Sequence, residues 1–230
     1  MTILNPWGPT VYHNYISEEF NQFLLDGLSR TEKFGRSMRK DLVGQINKQR
    51  EGIFDLDVFK SYIDEHVISY ELGRANRLIS LKRFHDPSMN DESFVKLSEI
   101  LSHTDQLECE YEFSGQPWVN YHRCNEYNPL HEHTGAISAI LCVDIPREIK
   151  EERDASTFSV KTNGCIEFCY DNDSTFLVAP ETGMLFLFPN TLKHCVYPFK
   201  SDVLRITMSF NIGKTPKMVY NNSTFILDCS

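Results

Sequence analysis

Two histidines lie two positions apart, directly before an apolar stretch of the chain. They are His131 and His133 in the hexapeptide NPLHEH at residues 128–133, and the apolar residues 137–143 follow. In an extended segment, residues i and i+2 point to the same side, so both imidazoles could face one metal ion while Glu132 points away. The alternative interpretation is a structural role for one or both histidines.

A third histidine follows another apolar strand pattern. That pattern covers residues 183–188 and stops at Pro189, and His194 comes five residues later. A histidine just past the end of a strand could be a third ligand that arrives from an opposite sheet, or it could be an ordinary loop residue. Imidazole binds iron, zinc and copper, so the residue types alone do not identify the metal. We interpret five other histidines as surface or loop residues, namely His13, His66, His85, His103 and His122.

An arginine lies in the last long strand pattern, residues 203–212. Strand alternation places Arg205 and Thr207 on one face and the apolar Leu204, Ile206, Met208 and Phe210 on the other. If the first face points into the protein, Arg205 needs an anionic partner, because burying an unpaired guanidinium is costly. Its planar fork suits a carboxylate, and a neighbouring hydroxyl can donate a further bond. In the alternative, the strand lies at a sheet edge and Arg205 faces solvent.

The elements that must position these residues are mostly strands. Seven short strand patterns follow residue 107, at residues 108–113, 118–123, 136–144, 164–170, 175–178, 183–188 and 203–212. Such a succession, separated by turn residues and without strand–helix alternation, predicts a sandwich, a barrel or a jelly roll rather than a parallel α/β sheet.

The chain before residue 107 is mainly helical in its periodicity. Ser17 can cap a first helix, a second is predicted from about Asp57, and a third over about residues 90–102. Residues 34–54, which contain three glycines, are predicted to form a mobile loop. The helices are expected to cover one sheet, so that residues 1–230 form a single domain. Its parts are a helical support (1–106), a jelly-roll core (107–213) and a C-terminal tail (214–230).

Taken in order, these parts resemble a known family. A strand with Trp118 and Asn120 is followed by the His131-x-His133 pair, by His194 and by Arg205. This order resembles the 2-oxoglutarate/iron(II) oxygenases of marine bacteria and their phages, a branch close to the prolyl-hydroxylase-like enzymes. The resemblance covers roughly residues 108–213. It implies a β-rich α+β fold in which a double-stranded β-helix, or jelly roll, is buttressed by N-terminal helices.

The resemblance also implies roles for individual residues. His131 and His194 correspond to the first and last members of the iron triad. Arg205 corresponds to the arginine that binds the C5 carboxylate of 2-oxoglutarate, and Thr207 to a hydroxyl residue that assists it. On the earlier strand, Asn120 or Tyr121 is expected to line the cosubstrate pocket.

The chain departs from the family pattern at one position. The usual triad is two histidines and one carboxylate, whereas residue 133 is a histidine. Either three imidazoles bind the metal, or the loop twists and Glu132 supplies the carboxylate. We favour His133 because alternation places it with His131.

The predicted function is an iron(II)/2-oxoglutarate-dependent oxygenase that uses O2 to hydroxylate a peptide, a protein or a small molecule. The first alternative is a jelly-roll structural or binding module, for example of a viral particle, that has lost turnover. The second is a cupin-like three-histidine metalloenzyme that does not use 2-oxoglutarate. Such an enzyme has no need of an arginine facing the metal pocket.

Composition restricts the surroundings in which the protein works. The formal net charge of −9 argues against nucleic acid as a partner, although residues 30–50 contain seven basic side chains. Seven scattered cysteines without a CxxC spacing argue for a reducing compartment, and we expect a cytoplasmic protein. No signal sequence or membrane span is expected. The oligomeric state is not predicted.

Overall fold

The computed structural model describes residues 2–4, 8–85, 103, 106–170, 174–221 and 223–227. These residues form three helices, α1 (Glu18–Phe34), α2 (Leu56–His85) and α3 (Arg147–Ala155). They also form fourteen strands: β1 (Thr2–Leu4), β2 (Val11–Tyr15), β3 (Lys48–Glu51), β4 (Glu108–Glu110), β5 (Trp118–His122), β6 (Asn128–His131), β7 (Ile137–Asp144), β8 (Ile166–Cys169), β9 (Thr175–Val178), β10 (Met184–Pro189), β11 (Lys193–Val196), β12 (Arg205–Ile212), β13 (Lys217–Tyr220) and β14 (Ser223–Phe225). None of the described helices is long and apolar enough to cross a lipid bilayer.

The strands pair into three antiparallel sheets. The major sheet has the order β1-β2-β10-β7-β12-β5-β3, and the minor sheet has the order β6-β11-β8-β9. Side chains from both sheets line one central cavity, which therefore lies between them. A third, small sheet is formed by β14, β13 and β4. This β-rich arrangement of two facing sheets with crossing connections is the predicted jelly roll.

The first two helices begin where the sequence signals predict. Ser17 caps α1, because its Oγ accepts a hydrogen bond of 3.1 Å from the backbone N–H of Phe20. Glu18 and Glu19 lie in the first turn, where the helix dipole favours acidic side chains. The second predicted helix is α2, which starts at Leu56. The predicted third helix, residues 90–102, lies outside the described residues.

The helices cover the outer face of the major sheet. Phe59 of α2 is fully buried, and its ring meets that of Phe210 edge-on at 5.4 Å between centroids. The other members of this core include Phe20, Leu24, Ile63, Val67, Val119, Leu141, Leu185, Ile206 and Met208. The apolar face of β12 therefore points at the helices, as alternation predicted, and Arg205 and Thr207 are left to face the cavity. Each such apolar side chain contributes about 1.5–3 kcal/mol on burial.

The prediction of a mobile loop over residues 34–54 is wrong near its C-terminal end, at Lys48–Glu51. Strand β3 forms there and closes the edge of the major sheet, with Gln49 opposite Asn120 of β5. The sequence Lys-Gln-Arg-Glu has no apolar alternation because an edge strand can keep polar side chains. The strand was therefore not visible in the local pattern.

Candidate functional site

Three histidines from one edge of the minor sheet, in or directly after the neighbouring strands β6 and β11, converge on one point. The ligand atoms of His131, His133 and His194 all lie within 4.8 Å of one another. The Nε2 atoms of His133 and His194 are 3.3 Å apart, and the ring centroids of His131 and His194 are 4.3 Å apart. Among the described residues, this is the one group of three or more such side chains that could hold a metal ion.

Backbone pairing brings these residues together. In the minor sheet, β11 pairs with β6 so that His194 lies opposite His131. His133 follows β6, and two hydrogen bonds to Asn190 fix its backbone. The N–H of His133 donates to the carbonyl of Asn190, and the side-chain amide of Asn190 donates to the carbonyl of His133, both at 3.0 Å. The ring of Trp118 lies 5.9 Å from that of His133 and forms a wall of the site.

Hydrogen bonds to the backbone orient two of the imidazoles. The Nδ1–H of His131 donates to the carbonyl of Pro129 at 2.7 Å, and the Nδ1–H of His194 donates to the carbonyl of Leu192 at 3.1 Å. Each ring therefore keeps the lone pair of its Nε2 for a metal. An outer hydrogen bond of this kind fixes the tautomer and orientation of metal-binding histidines in general.

Burial keeps all three imidazoles neutral. Burial, together with the neighbouring imidazoles, lowers the pKa of His133 to about 4 and that of His194 to about 3. Burial also lowers the pKa of His131. At neutral pH the three rings are therefore unprotonated, which is the form that binds a metal.

Glu132 follows the end of β6 and lines the same cavity, but it lies outside the group of three histidines. It is exposed, while His133 is partly buried within the group. This is the alternation expected of an extended segment, in which residues 131 and 133 share a side. The structure thus brings His133 to the site with His131 and His194.

Arg205 lies in the same cavity and is almost completely buried, with 1% of its surface exposed. Its Nη1 donates to the carbonyl of Gly164 at 2.8 Å, and its Nε has no hydrogen-bond partner. Burial lowers the pKa of the guanidinium, but an arginine stays protonated in proteins. Within the described part of the chain no carboxylate pairs with it, so a buried positive charge faces the cavity without an anion.

A row of neutral polar side chains crosses the floor of the cavity. Gln49 Nε2 donates to Asn120 Oδ1 at 2.9 Å, and Asn120 Nδ2 donates to Thr207 Oγ1 at 3.4 Å. All three residues line the cavity. Tyr121, the other candidate for the cosubstrate pocket, points the opposite way and packs in the core beneath the helices. The structure therefore brings Asn120 and Thr207 to the cavity but not Tyr121.

One residue of this region was wrongly interpreted from the sequence pattern. His122, interpreted above as a surface or loop residue, is 1% exposed and lies opposite Arg205 in the β5–β12 pair. Both of its ring nitrogens lack partners. Burial lowers its pKa well below the usual range, and the charge of Arg205 lowers it further. Its place on the same strand face as Trp118 and Asn120 is the signal that could have revealed it.

The cavity has a volume of about 380 Å³ and a mouth formed by exposed residues. At the mouth, Arg36 binds Asp41 at 2.6 Å and Glu51 at 3.2 Å, so one guanidinium bridges two carboxylates and the group keeps one negative charge. Segment 36–44, which follows α1, thus forms one wall of the opening.

The part of the chain that holds the site matches a known family. Residues 116–211 match a family model described as "Putative 2OG-Fe(II) oxygenase". This segment contains His131, His133, His194, Arg205 and Thr207. The family predicted from the sequence is therefore confirmed for this segment, and iron(II) and 2-oxoglutarate are the metal and cosubstrate that it implies. No curated protein matches the chain.

Several solved structures are similar in fold. A prolyl-4-hydroxylase from Pseudomonas putida is 10% identical, with 89% of this chain and 92% of that chain covered at a TM-score of 0.47. The carbocyclase SnoK from nogalamycin biosynthesis is 11% identical, with 94% and 83% covered at a TM-score of 0.49. A Trichoplax adhaerens prolyl hydroxylase in complex with a hypoxia inducible factor peptide fragment is 10% identical, with 90% and 83% covered at a TM-score of 0.47.

Proposed function

We propose that this chain is an iron(II)- and 2-oxoglutarate-dependent oxygenase, and that the reaction it catalyses is the hydroxylation of a C–H bond. One observation carries the proposal. Three neutral imidazoles and an unpaired, buried guanidinium face a single cavity, within the segment that matches the oxygenase family. The first group suits a divalent metal and the second suits a dianionic ligand.

The residues of the site fit both groups. His131, His133 and His194 would hold the iron through their free ring nitrogens. Arg205 would bind the C5 carboxylate of 2-oxoglutarate, because its buried Nε has no other acceptor, and Thr207 would donate a further hydrogen bond. Three imidazoles add no charge to the 2+ ion, so the dianionic cosubstrate itself balances the metal.

When bound, iron(II) and 2-oxoglutarate supply the oxidation: one oxygen atom of O2 enters the substrate as a hydroxyl group, and the other leaves in succinate as CO2 is released. The protein would bind the metal and the cosubstrate and orient the substrate. Trp118, Gln49 and Asn120 line the cavity and shape it. Burial of Arg205 preserves its charge interactions, because these are stronger in a dry site.

We propose a peptide, a protein or a small molecule as the substrate. We also propose that the protein works in a reducing compartment such as the cytoplasm, since the six cysteines among the described residues are all free thiols.

The proposal is tested by anaerobic calorimetry with iron(II) and 2-oxoglutarate. We expect one iron per chain, and we expect 2-oxoglutarate to bind tightly only after the metal. A protein that binds neither ligand would instead be a jelly-roll binding or structural module. The histidine at position 133, where the family usually has a carboxylate, is the one observation that favours this second candidate.

A further inference from the structure

The polar face of β12 continues beyond the two residues assigned to the cosubstrate. Ser209 and Asn211 follow Arg205 and Thr207 at intervals of two, and all four line the cavity. Ser209 and Asn211 are each 9% exposed, so they are almost buried but reach the open space. Buried polar side chains normally have partners, and Ser209 Oγ accepts from Asn120 Nδ2 at 3.5 Å. Neither Ser209 nor Asn211 has a role in the assignments above.

Asn211 is held firmly with a donor left over. Its Oδ1 accepts a hydrogen bond of 2.9 Å from Ser138 Oγ, which fixes the amide plane, and its backbone carbonyl accepts from the N–H of Ser114 at 2.8 Å. The Nδ2 group of Asn211 makes no hydrogen bond to any residue that the structure describes. Because the residue lines the cavity, this N–H group is available to a ligand.

The position of Asn211 is on the mouth side of the metal site. Ser209 pairs with Trp118, whose ring contacts that of His133, so Ser209 lies level with the histidines. Asn211 is two residues further along the strand, about 7 Å towards the mouth. Arg205 lies in the other direction, about 13 Å from Ser209. A ligand at Asn211 would therefore approach the metal from the side opposite to the C5 carboxylate of 2-oxoglutarate.

The hydrogen-bond partners of Asn211 are uncharged. Ser138 and Ser114 donate to its amide oxygen and backbone carbonyl, and it forms no hydrogen bond with a charged side chain among the described residues. Three acids also line the cavity: Asp41 and Glu51, which share the one positive charge of Arg36, and Glu132. A carboxylate would be bound better by an arginine, and a cation by a free acid. A lone amide N–H suits a neutral acceptor, such as the carbonyl oxygen of an amide.

We propose that Asn211, with Ser209 beside it, is the substrate-binding group of this site and donates its Nδ2–H to a carbonyl oxygen of a neutral, amide-bearing substrate. The inference rests on the proposed function, since it takes the three histidines as the metal site. It deepens that function by giving the substrate class, which includes peptides.

The test uses protein loaded anaerobically with iron(II) and 2-oxoglutarate. The probes are N-methylacetamide and N-methylthioacetamide, which have similar shapes but differ in acceptor strength. The chain has two tryptophans, so a Trp7→Phe background leaves Trp118 as a fluorescent reporter in the wall of the cavity. The variants are Asn211→Leu, Asn211→Asp, which keeps the shape but removes the N–H donor, and Asn21→Leu on α1 as a matched control outside the cavity.

We expect N-methylacetamide to bind to the parent and the thioamide to bind at least 10-fold more weakly. Both Asn211 variants should lower the affinity for N-methylacetamide at least 10-fold. Asn21→Leu should bind as the parent does. Equal binding of the two probes, unchanged binding in the Asn211 variants, or no binding in the parent overturns the inference. Iron and 2-oxoglutarate affinities are measured separately in every variant. A failure of the proposed function would appear there in the parent protein, whereas a failure of the inference alone would leave those affinities intact.

Discussion

The Nε2 atoms of His133 and His194 lie 3.3 Å apart although 61 positions separate the two residues in the chain. One residue follows β6 and the other lies in β11, so the pairing of two short strands creates the site. Neither strand is rich in apolar residues, and the site depends on the folded minor sheet rather than on a local motif.

Removal of a histidine ligand should abolish iron binding. We expect His131→Ala and His194→Ala each to lower the affinity for iron(II) by more than about 100-fold. Loss of a residue that only hydrogen-bonds to a metal ligand already lowers metal affinity by about 10–100-fold. Anaerobic calorimetry or metal analysis after dialysis measures this. Circular dichroism shows whether the variants remain folded.

The identity of the third ligand is tested by a matched set at adjacent positions. His133→Ala should weaken the binding of iron(II), whereas His133→Asp should retain it, because aspartate restores the usual carboxylate ligand. Glu132→Ala should leave iron binding unchanged, because Glu132 is exposed and outside the histidine group. If Glu132→Ala lost iron and His133→Ala kept it, the assignment of His133 would be wrong.

Arg205 should determine the affinity for 2-oxoglutarate. Arg205→Ala is expected to weaken binding by about 2–5 kcal/mol, the cost of leaving one charge of a buried pair without its partner. Arg205→Lys should rescue only part, since lysine lacks the planar fork. Thr207→Val is the milder control, with an expected loss of about 1 kcal/mol. An affinity that stays the same in Arg205→Ala would refute the role.

The stability of the metal-free protein should fall with acid, partly through His122. Burial lowers the pKa of His122 in the folded state, so below the unfolded pKa of about 6.5 only the unfolded chain takes up a proton there. Stability is then lost as the pH falls below this value, by up to about 1.4 kcal/mol per pH unit for each such group.

His122→Leu removes one of these groups. The slope of unfolding free energy against pH should decrease by about 1.2 kcal/mol per unit between pH 6 and 5, as measured by urea denaturation. At pH 8 the histidine is neutral in both the folded and the unfolded protein. The difference in unfolding free energy between variant and parent at this pH therefore gives the effect of the substitution without any contribution from protonation. An unchanged slope would mean that His122 takes up its proton in the folded state.

The helices and the sheet should unfold as one unit. Phe59→Ala is expected to lower the free energy of unfolding by about 3–5 kcal/mol, because the ring is fully buried against Phe210. Expression of residues 107–230 alone should give insoluble or molten material, since the apolar face of β12 would be uncovered. A soluble fragment that unfolds cooperatively would show instead that the helical part is a separate domain.

The sequence is informative about this fold where burial imposes a pattern. All seven predicted strands form within a few residues of their expected bounds, and the predicted 175–178 is the observed β9. In β12, alternation correctly separates Arg205 from Met208 and Phe210, because one face meets the cavity and the other meets the helices.

Three of the strands that form the site carry no such pattern. Strands β3, β6 and β11 are short, polar and stabilised by pairing with neighbours distant in sequence, so local periodicity does not reveal them. His122 and Tyr121 show that the local sequence is equally uninformative about parts of the site. They are adjacent on β5, but only the register of the folded sheet determines which of them faces inward.

The most direct test of the oxygenase proposal is the conversion of 2-oxoglutarate to succinate. Purified protein with iron(II), O2 and 2-oxoglutarate should form succinate, even without the natural substrate, through slow uncoupled turnover. Formation should stop when iron is chelated, and in the His194→Ala and Arg205→Ala variants. Succinate formation that continues unchanged in both variants, or none from iron-loaded wild-type protein that binds 2-oxoglutarate, would contradict the assignment of this site as an oxygenase.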